Sequence, residues 1–164
     1  MAENSDFKEI KIHALFKADI DTFFNKLNNP NTYTDWVYKC TQGKILEKKN
    51  KQEFHYYTVS DLPYPAKDRD MVVKCKQWKD ENGTRFSHSE ADPDFIPLDK
   101  DLVRIPYFVS NWKITPLADG MIQVDYTALA DPGGSIPVWI VNMAVSSGPF
   151  KTMEQLIKSV SNSI

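Results

Sequence analysis

Asp131 to Ile164 reads DPGGSIPVWIVNMAVSSGPFKTMEQLIKSVSNSI, and the spacing of its apolar residues decides the fold. A Pro-Gly-Gly turn opens it, Ser135 is the expected N-cap, and Pro137 falls in the first helical turn, where its missing N–H would be unpaired in any case. Beyond that point Trp139, Met143, Phe150, Met153, Leu156, Ile157 and Val160 fall on one side of a helical wheel. The spacing predicts one long amphipathic helix whose broad apolar face needs a cover. Asn142 and Ser146 share that sector, and a helix that only sealed a dry core has no use for them. Both are candidates to meet a ligand head group; Asn142 is equally suited to bond a backbone carbonyl of the covering sheet and fix the helix. Gly148-Pro149 interrupts the run, at a cost of roughly 3 kcal/mol for an interior proline. It is read either as a hinge for ligand entry or as a bend that follows a curved sheet.

The cover is sought upstream. Phe7 to Lys17 carries β-formers, and Asp19 to Leu27 (DIDTFFNKL) reads as a short helix capped by Asp19 and ended by Asn28-Asn29-Pro30. Asn31 to Tyr38 is a second short turn or helix anchored by Trp36. Gly43–Lys49 and Gln52–Ser60 form an expected hairpin, while the two prolines of DLPYPAKD, Asp61 to Asp68, make a stiff loop. Arg69 to Lys79 returns to strand, with Met71, Val73 and Cys75 pointing inward and Asp70, Val72, Lys74 and Lys76 the other way. Asn82-Gly83 turns the chain into a partner strand, Thr84 to Glu90. Ala91 to Lys100, with two prolines and three acidic residues, is expected to be a solvated connection. Leu102 to Thr115 reads as a long strand interrupted at Pro106, and Met121 to Ala130 as the last one. The fold class is therefore α+β: an antiparallel sheet of about seven strands that curls around the long C-terminal helix, with two short helices after the first strand. This is the helix-grip arrangement.

Composition narrows the function. The 164 residues match one ordinary domain, and 20 basic against 22 acidic residues leave a net charge of −2 with no basic block, so nucleic acid is not expected as a partner. Cys40 and Cys75, without a CxxC, suit free thiols in a reducing compartment. No signal-like start or bilayer-length apolar run is present, which leads to a cytoplasmic expectation. His13, His55 and His88 stand on three different strands without ligand spacing, so neither a metal, a cofactor nor a catalytic residue is expected. Aromatic residues make up 12% of the chain, more than a minimal core requires, and point to a lined cavity.

Three stretches resemble one family, the START (steroidogenic-acute-regulatory-protein-related) lipid-transfer domains of the Bet v 1-like helix-grip class. They are LPYPAKDRDMVV from Leu62 to Val73, the strand from Val103-Arg104 to Trp112-Lys113-Ile114-Thr115-Pro116, and DPGGSIPVWIVN from Asp131 to Asn142. Their order and spacing fit, and Trp36 stands where the family carries a tryptophan after its first helices. The resemblance implies a tunnel between sheet and helix for one lipid or other hydrophobic small molecule, with transient membrane contact as a further partner expectation. It draws the cavity wall from Met71, Val73, Cys75, Arg104, Trp112, Ile114, Tyr126, Ala128, Trp139, Met143, Ser146 and Phe150. Leu62, Pro63, Tyr64 and Pro65 become the gate loop, and Arg69, Asp70 and Asn142 structural members of the motifs. Arg104 is read either as a cavity residue or as the partner of a surface acid. Some sterol-binding relatives place a buried basic residue at the position of Cys75, so the resemblance implies no charged anchor for a sterol hydroxyl here. At about 0.8 kcal/mol per buried methylene, some ten methylenes would contribute roughly 8 kcal/mol gross, comparable to micromolar binding before ordering costs. Two other classes stay open: a cavity enzyme of the cyclase or hydrolase type on aromatic or polyketide-like compounds, and a ligand-free interaction module.

Overall fold

The computed structural model describes residues 9–161, and of Val145 and Ser146 the backbone alone. Phe7 and Lys8, the start of the first expected strand, lie outside that span. Strand β1 (Ile10–Lys17) leads into α1 (Ile20–Leu27), where the Asp19 carboxylate accepts from the Thr22 backbone N–H at 2.9 Å and so satisfies an end donor of the helix. The helix buries Phe23, Phe24 and Leu27. A 3-10 turn at Pro30–Thr32 and the single turn α2 (Tyr33–Trp36) follow, and the Tyr33 and Trp36 rings meet edge to face.

Seven more strands complete the sheet among the described residues: β2 (Cys40–Lys48), β3 (Glu53–Ser60), β4 (Arg69–Lys79), β5 (Arg85–Ala91), β6 (Val103–Arg104), β7 (Tyr107–Pro116) and β8 (Met121–Asp131). The spatial order is β1-β8-β7-β5-β4-β3-β2, antiparallel throughout. The short β6 lies off this path and pairs in parallel with β4. On the inner face, Phe23, Tyr56, Val73, Ile114, Val124, Met153, Leu156 and Val160 belong to the main core, so the C-terminal helix and α1 close one side of the curved sheet. The helix-grip architecture expected from the sequence is the one observed.

Three local expectations are corrected. The long strand divides at Pro106, because proline offers no ladder donor; its first part becomes β6, tied to β4 through Val103 N–H to Asp68 O (3.0 Å) and Ile105 N–H to Asp70 O (2.9 Å). The acidic connection after β5 is not simply solvated. It crosses the outer face and packs Ile96 and Leu102 on Tyr57, Val59 and Val72, forming a second small core. Val72 and Asp70 therefore point away from the helix yet are buried.

The third correction concerns the C-terminal helix. Its N-cap is Pro137 rather than Ser135, and it runs as α3 (Val138–Asn142), a π-helical stretch (Met143–Ser147) and α4 (Gly148–Ser161). Pro149 lacks the N–H that would close the preceding turn, and its ring crowds the carbonyl four residues back; the wider π turn relieves both. A π turn also shifts the phase of everything before it. Ile140, not Trp139, is buried on α3, and Trp139 is 55% exposed. On α4 the buried stripe is Met153, Leu156 and Val160; at 100° per residue Phe150 stands about 90° from its centre and is 61% exposed.

Candidate functional site

Between the inner face of the sheet and the C-terminal helix lies a cavity of about 300 Å³. Its walls come from α1 and α2 (Leu27, Tyr33, Trp36), from the sheet (Tyr56, Met71, Phe108, Trp112, Tyr126) and from the helix (Met143, Ala144, Gly148, Pro149, Met153). The volume stands at the lower end of the range of small-molecule pockets. It exists because several inward positions are small. On β5, Ser87 and Ser89 point in while Phe86 stacks on Trp78 outside, and Ser110 and Cys75 continue the run of short side chains on β7 and β4. Space that an Ile-, Leu- or Val-lined sheet would have filled is left between the rings.

The aromatic walls are held in place by specific bonds. The Tyr33 hydroxyl donates to the Leu27 carbonyl at 2.5 Å, and the Trp36 indole N–H to Thr32 Oγ1 at 3.3 Å. Trp112 packs on Tyr126 with ring centroids 4.3 Å apart and reaches Phe23 at 6.4 Å. Asn28, just past α1, accepts from Ser87 Oγ at 3.1 Å, and Cys75 Sγ is 3.4 Å from the same hydroxyl. Burial pushes the Tyr33, Tyr56 and Tyr126 phenols and the Cys75 thiol upward, so this interior is uncharged near neutrality. Among the described lining residues the formal charges are Lys39 and Asp61, which are linked by an Asp61 N–H to Lys39 carbonyl bond of 2.9 Å.

Of the residues expected on the wall, Met71, Cys75, Trp112, Tyr126 and Met143 line the cavity. Val73, Ile114 and Ala128 face the same side but are packed in the core without bordering the space. Trp139 and Phe150 are corrected to the outer surface, for the reasons of helix phase given above. The Ser146 side chain lies outside the described residues, and Asn142 is exposed. Of the two readings of Arg104, pairing with an acid is the one observed, although that acid, Asp70, is buried and not on the surface. Arg104 lies on the other face, its guanidinium donating from Nε and Nη2 to the two Asp70 oxygens at 2.8 Å each and to the carbonyls of Pro93, Ile96 and Pro97.

In the loop Leu62 to Pro65, Leu62 borders the cavity and Tyr64 projects into solvent. Leu62 N–H is bonded to Asp68 Oδ1 at 3.1 Å. Arg69 is buried and donates to the carbonyls of Lys67, Pro132 and Gly133, at 2.6, 3.1 and 2.8 Å, and so ties this loop to the DPGG turn. That turn needs its glycines: Gly133 and Gly134 have φ of 70° and 65°, and a Cβ on Gly134 would sit 3.3 Å from Arg69 Nη2. Asp70, in the same motif as Arg69, joins it to the remaining one through Arg104. The three sequence motifs are thus one connected assembly beside the cavity, not three separate contacts.

The sequence reading missed Ser87, Ser89, Ser110, Thr58 and Asn28 as lining residues. The signal was present in β5, whose alternation places serines on the side that faces the helix. The three histidines do not border the cavity: His13 bonds Asp125 at 2.7 Å, His55 bonds Asp92 at 2.9 Å, and His88 is held between Asn111 and Glu90.

Comparison with known proteins agrees with this geometry. A model of the START domain matches residues 8–163. The Pseudomonas aeruginosa protein PA1579 is 31% identical over 154 residues, 94% of this chain and 76% of that protein. The phosphatidylcholine transfer protein of Bos taurus is 25% identical over 141 residues, 80% of this chain and 66% of its own length. Among solved structures, a fragment of the STAR-related lipid transfer protein from Xanthomonas axonopodis has a TM-score of 0.88 at 32% identity, covering 98% of this chain and 90% of that one. Human STARD10 has a TM-score of 0.82 at 20% identity, a likeness of fold, over 94% of this chain and 63% of its own.

Proposed function

The chain belongs to the START domain family, and we propose that it binds one hydrophobic molecule, or the apolar part of a lipid, in the cavity between sheet and C-terminal helix. The observation that carries this is the unfilled space of about 300 Å³ walled by Tyr33, Trp36, Tyr56, Trp112, Tyr126 and Met143. A fold needing only stability would have filled it, since a void forfeits the contacts of its lining. The names of the bovine and Xanthomonas relatives, both lipid transfer proteins, support a lipid as cargo. Binding is preferred to catalysis because no histidine borders the space and its tyrosine and cysteine groups are held neutral.

Cargo exchange would bring the protein briefly to a membrane surface; the exposed Val138, Trp139 and Phe150 on the lid helix are suited to that contact. No helix among the described residues is long and apolar enough to cross a bilayer. The free thiols of Cys40 and Cys75 favour a cytoplasmic setting. Native mass spectrometry of protein incubated with a total lipid extract tests the central reading. A single bound hydrophobe, held more weakly when Ser110→Leu narrows the space, is the expected result. Absence of any bound hydrophobe, with displacement of a fluorescent fatty probe also absent, would refute it.

A further inference from the structure

We propose that the sheet wall of the cavity contains a neutral hydrogen-bonding subsite centred on Ser110, which takes the uncharged oxygen end, a hydroxyl or carbonyl, of an otherwise apolar ligand. This rests on the reading that the cavity holds a hydrophobe and adds which chemical end of it is recognised, and where.

Strand register brings the subsite together. Cys75 stands opposite Ser89, and Ser89 opposite Ser110, so three short polar side chains from β4, β5 and β7 form one line across the sheet. Directly opposed positions are about 5 Å apart at Cβ, close enough for one ligand atom to touch two of them. The partners within the line are unequal. Ser89 stands near the Tyr56 phenol and the Cys75 thiol, and the neighbouring Ser87 is engaged with Asn28 and Cys75.

Ser110 is 3% exposed and lines the cavity, yet its hydroxyl has no hydrogen-bond partner among the described residues. Thr58, also buried on the same wall, is in the same position. The oxygen is not sealed off: among the described residues the buried side-chain atom without a partner is Gln77 Oε1, so the Ser110 hydroxyl is left open to the cavity, where a ligand can meet it. An oxygen supplied by the ligand satisfies Ser110 without any rearrangement of the sheet.

The charge of that oxygen group follows from the surroundings. Asp61 and Lys39 lie beyond the Ser60 end of β3, which pairs with Arg69; Ser110 lies in the row of Cys75. Six residues along β4 separate those rows, about 20 Å at 3.3 Å per residue. Arg104, the guanidinium expected near the cavity, is committed to Asp70 on the opposite face. A carboxylate, phosphate or quaternary ammonium at Ser110 would be buried without a counter-charge, which is far more costly than burying a neutral oxygen. The hydroxyls of Ser110 and Thr58 and the phenol of Tyr126 all remain uncharged, so recognition is independent of pH across the neutral range.

The test uses the full chain stripped of bound lipid and a displacement assay with n-decane, 1-decanol and decanoate. A ten-carbon chain suits the cavity at roughly 30 Å³ per water-sized group. Ser110→Ala is expected to weaken 1-decanol by about threefold to tenfold, the value of one net hydrogen bond, and to leave decane within about twofold. Decanoate at pH 8 is expected to bind at least tenfold more weakly than 1-decanol to the unmodified chain, a comparison that needs no variant to fold. Equal effects of Ser110→Ala on decane and 1-decanol, or decanoate binding as tightly as 1-decanol, overturn the subsite while the hydrophobe cavity stands. If neither decane nor 1-decanol displaces the probe, the cavity reading falls and the subsite with it.

Discussion

Replacing Arg104 by methionine is the sharpest perturbation of the framework that holds the cavity wall. In the native protein the Asp70 carboxylate is 1% exposed and accepts two guanidinium bonds of 2.8 Å and one from the Tyr57 hydroxyl at 3.0 Å. Arg104→Met leaves that carboxylate with Tyr57 alone and removes the donors that meet the carbonyls of Pro93, Ile96 and Pro97. Breaking a buried pair from one side costs about 3–5 kcal/mol, because an uncompensated charge is left behind. At about 2–4 °C per kcal/mol for a chain of this size, Tm should fall by roughly 6–20 °C. Urea denaturation followed by circular dichroism gives the free energy directly. The double variant Asp70→Leu/Arg104→Met should recover at least half of the loss, since an apolar pair can replace a buried ion pair at little cost. Below its transition the folded single variant should bind a fluorescent fatty probe as the unmodified chain does, because the pair is on the face away from the cavity. A loss under about 1 kcal/mol with no recovery in the double variant would refute the energetic argument. Loss of probe binding with stability retained would place the guanidinium in the cavity after all.

Ile140→Ala should destabilise the protein by about 2–5 kcal/mol in the same assay, and Trp139→Ala by no more than about 0.5 kcal/mol; the reverse order would restore the uninterrupted helical wheel. Gly43→Ala places a Cβ 2.3 Å from the Pro30 carbonyl oxygen and 3.2 Å from Tyr33 Cβ, so it should cost about 1–3 kcal/mol by forcing apart β2 and the Pro30 turn. His88 is held by acceptors on Glu90 and Asn111 that raise its folded pKa above the ordinary histidine value. Its contribution should therefore be fully present below the unfolded pKa and lost as pH rises through the folded one, and His88→Gln should flatten the stability profile in that window. Buried and with its thiol pushed upward, Cys75 should resist iodoacetamide in the native protein and react on unfolding, as mass spectrometry would record.

Much of the fold was legible because its determinants are local. Asp19 followed by Thr22 makes a cap wherever a helix begins there, and the alternation of Met71, Val73 and Cys75 sets one face of β4 without reference to any partner. Asn82-Gly83 needed only the positive φ that glycine accepts, observed at 83°. The candidate site was legible less evenly. Met71, Cys75, Trp112, Tyr126 and Met143 were found because they are apolar or small on faces already assigned inward. The serines were passed over, since a polar side chain in a strand is ordinarily taken to face water.

What the sequence determined by itself was the order of strands and helices, the inward face of β4, and the need for a helical lid, all of which depend on neighbours within a few residues. Tertiary structure alone decided three things. Residues 92–104 fold back over the outer face, so Asp70 and Val72 are buried on a side that periodicity assigns to solvent. The π turn before Pro149 rotates α3, so Trp139 faces out and Ile140 in. The cavity itself is a volume, and a volume left between Ser87 and Ser89 on β5, Ser110 on β7 and a helix forty residues further along is fixed only when all of those elements have been brought into register.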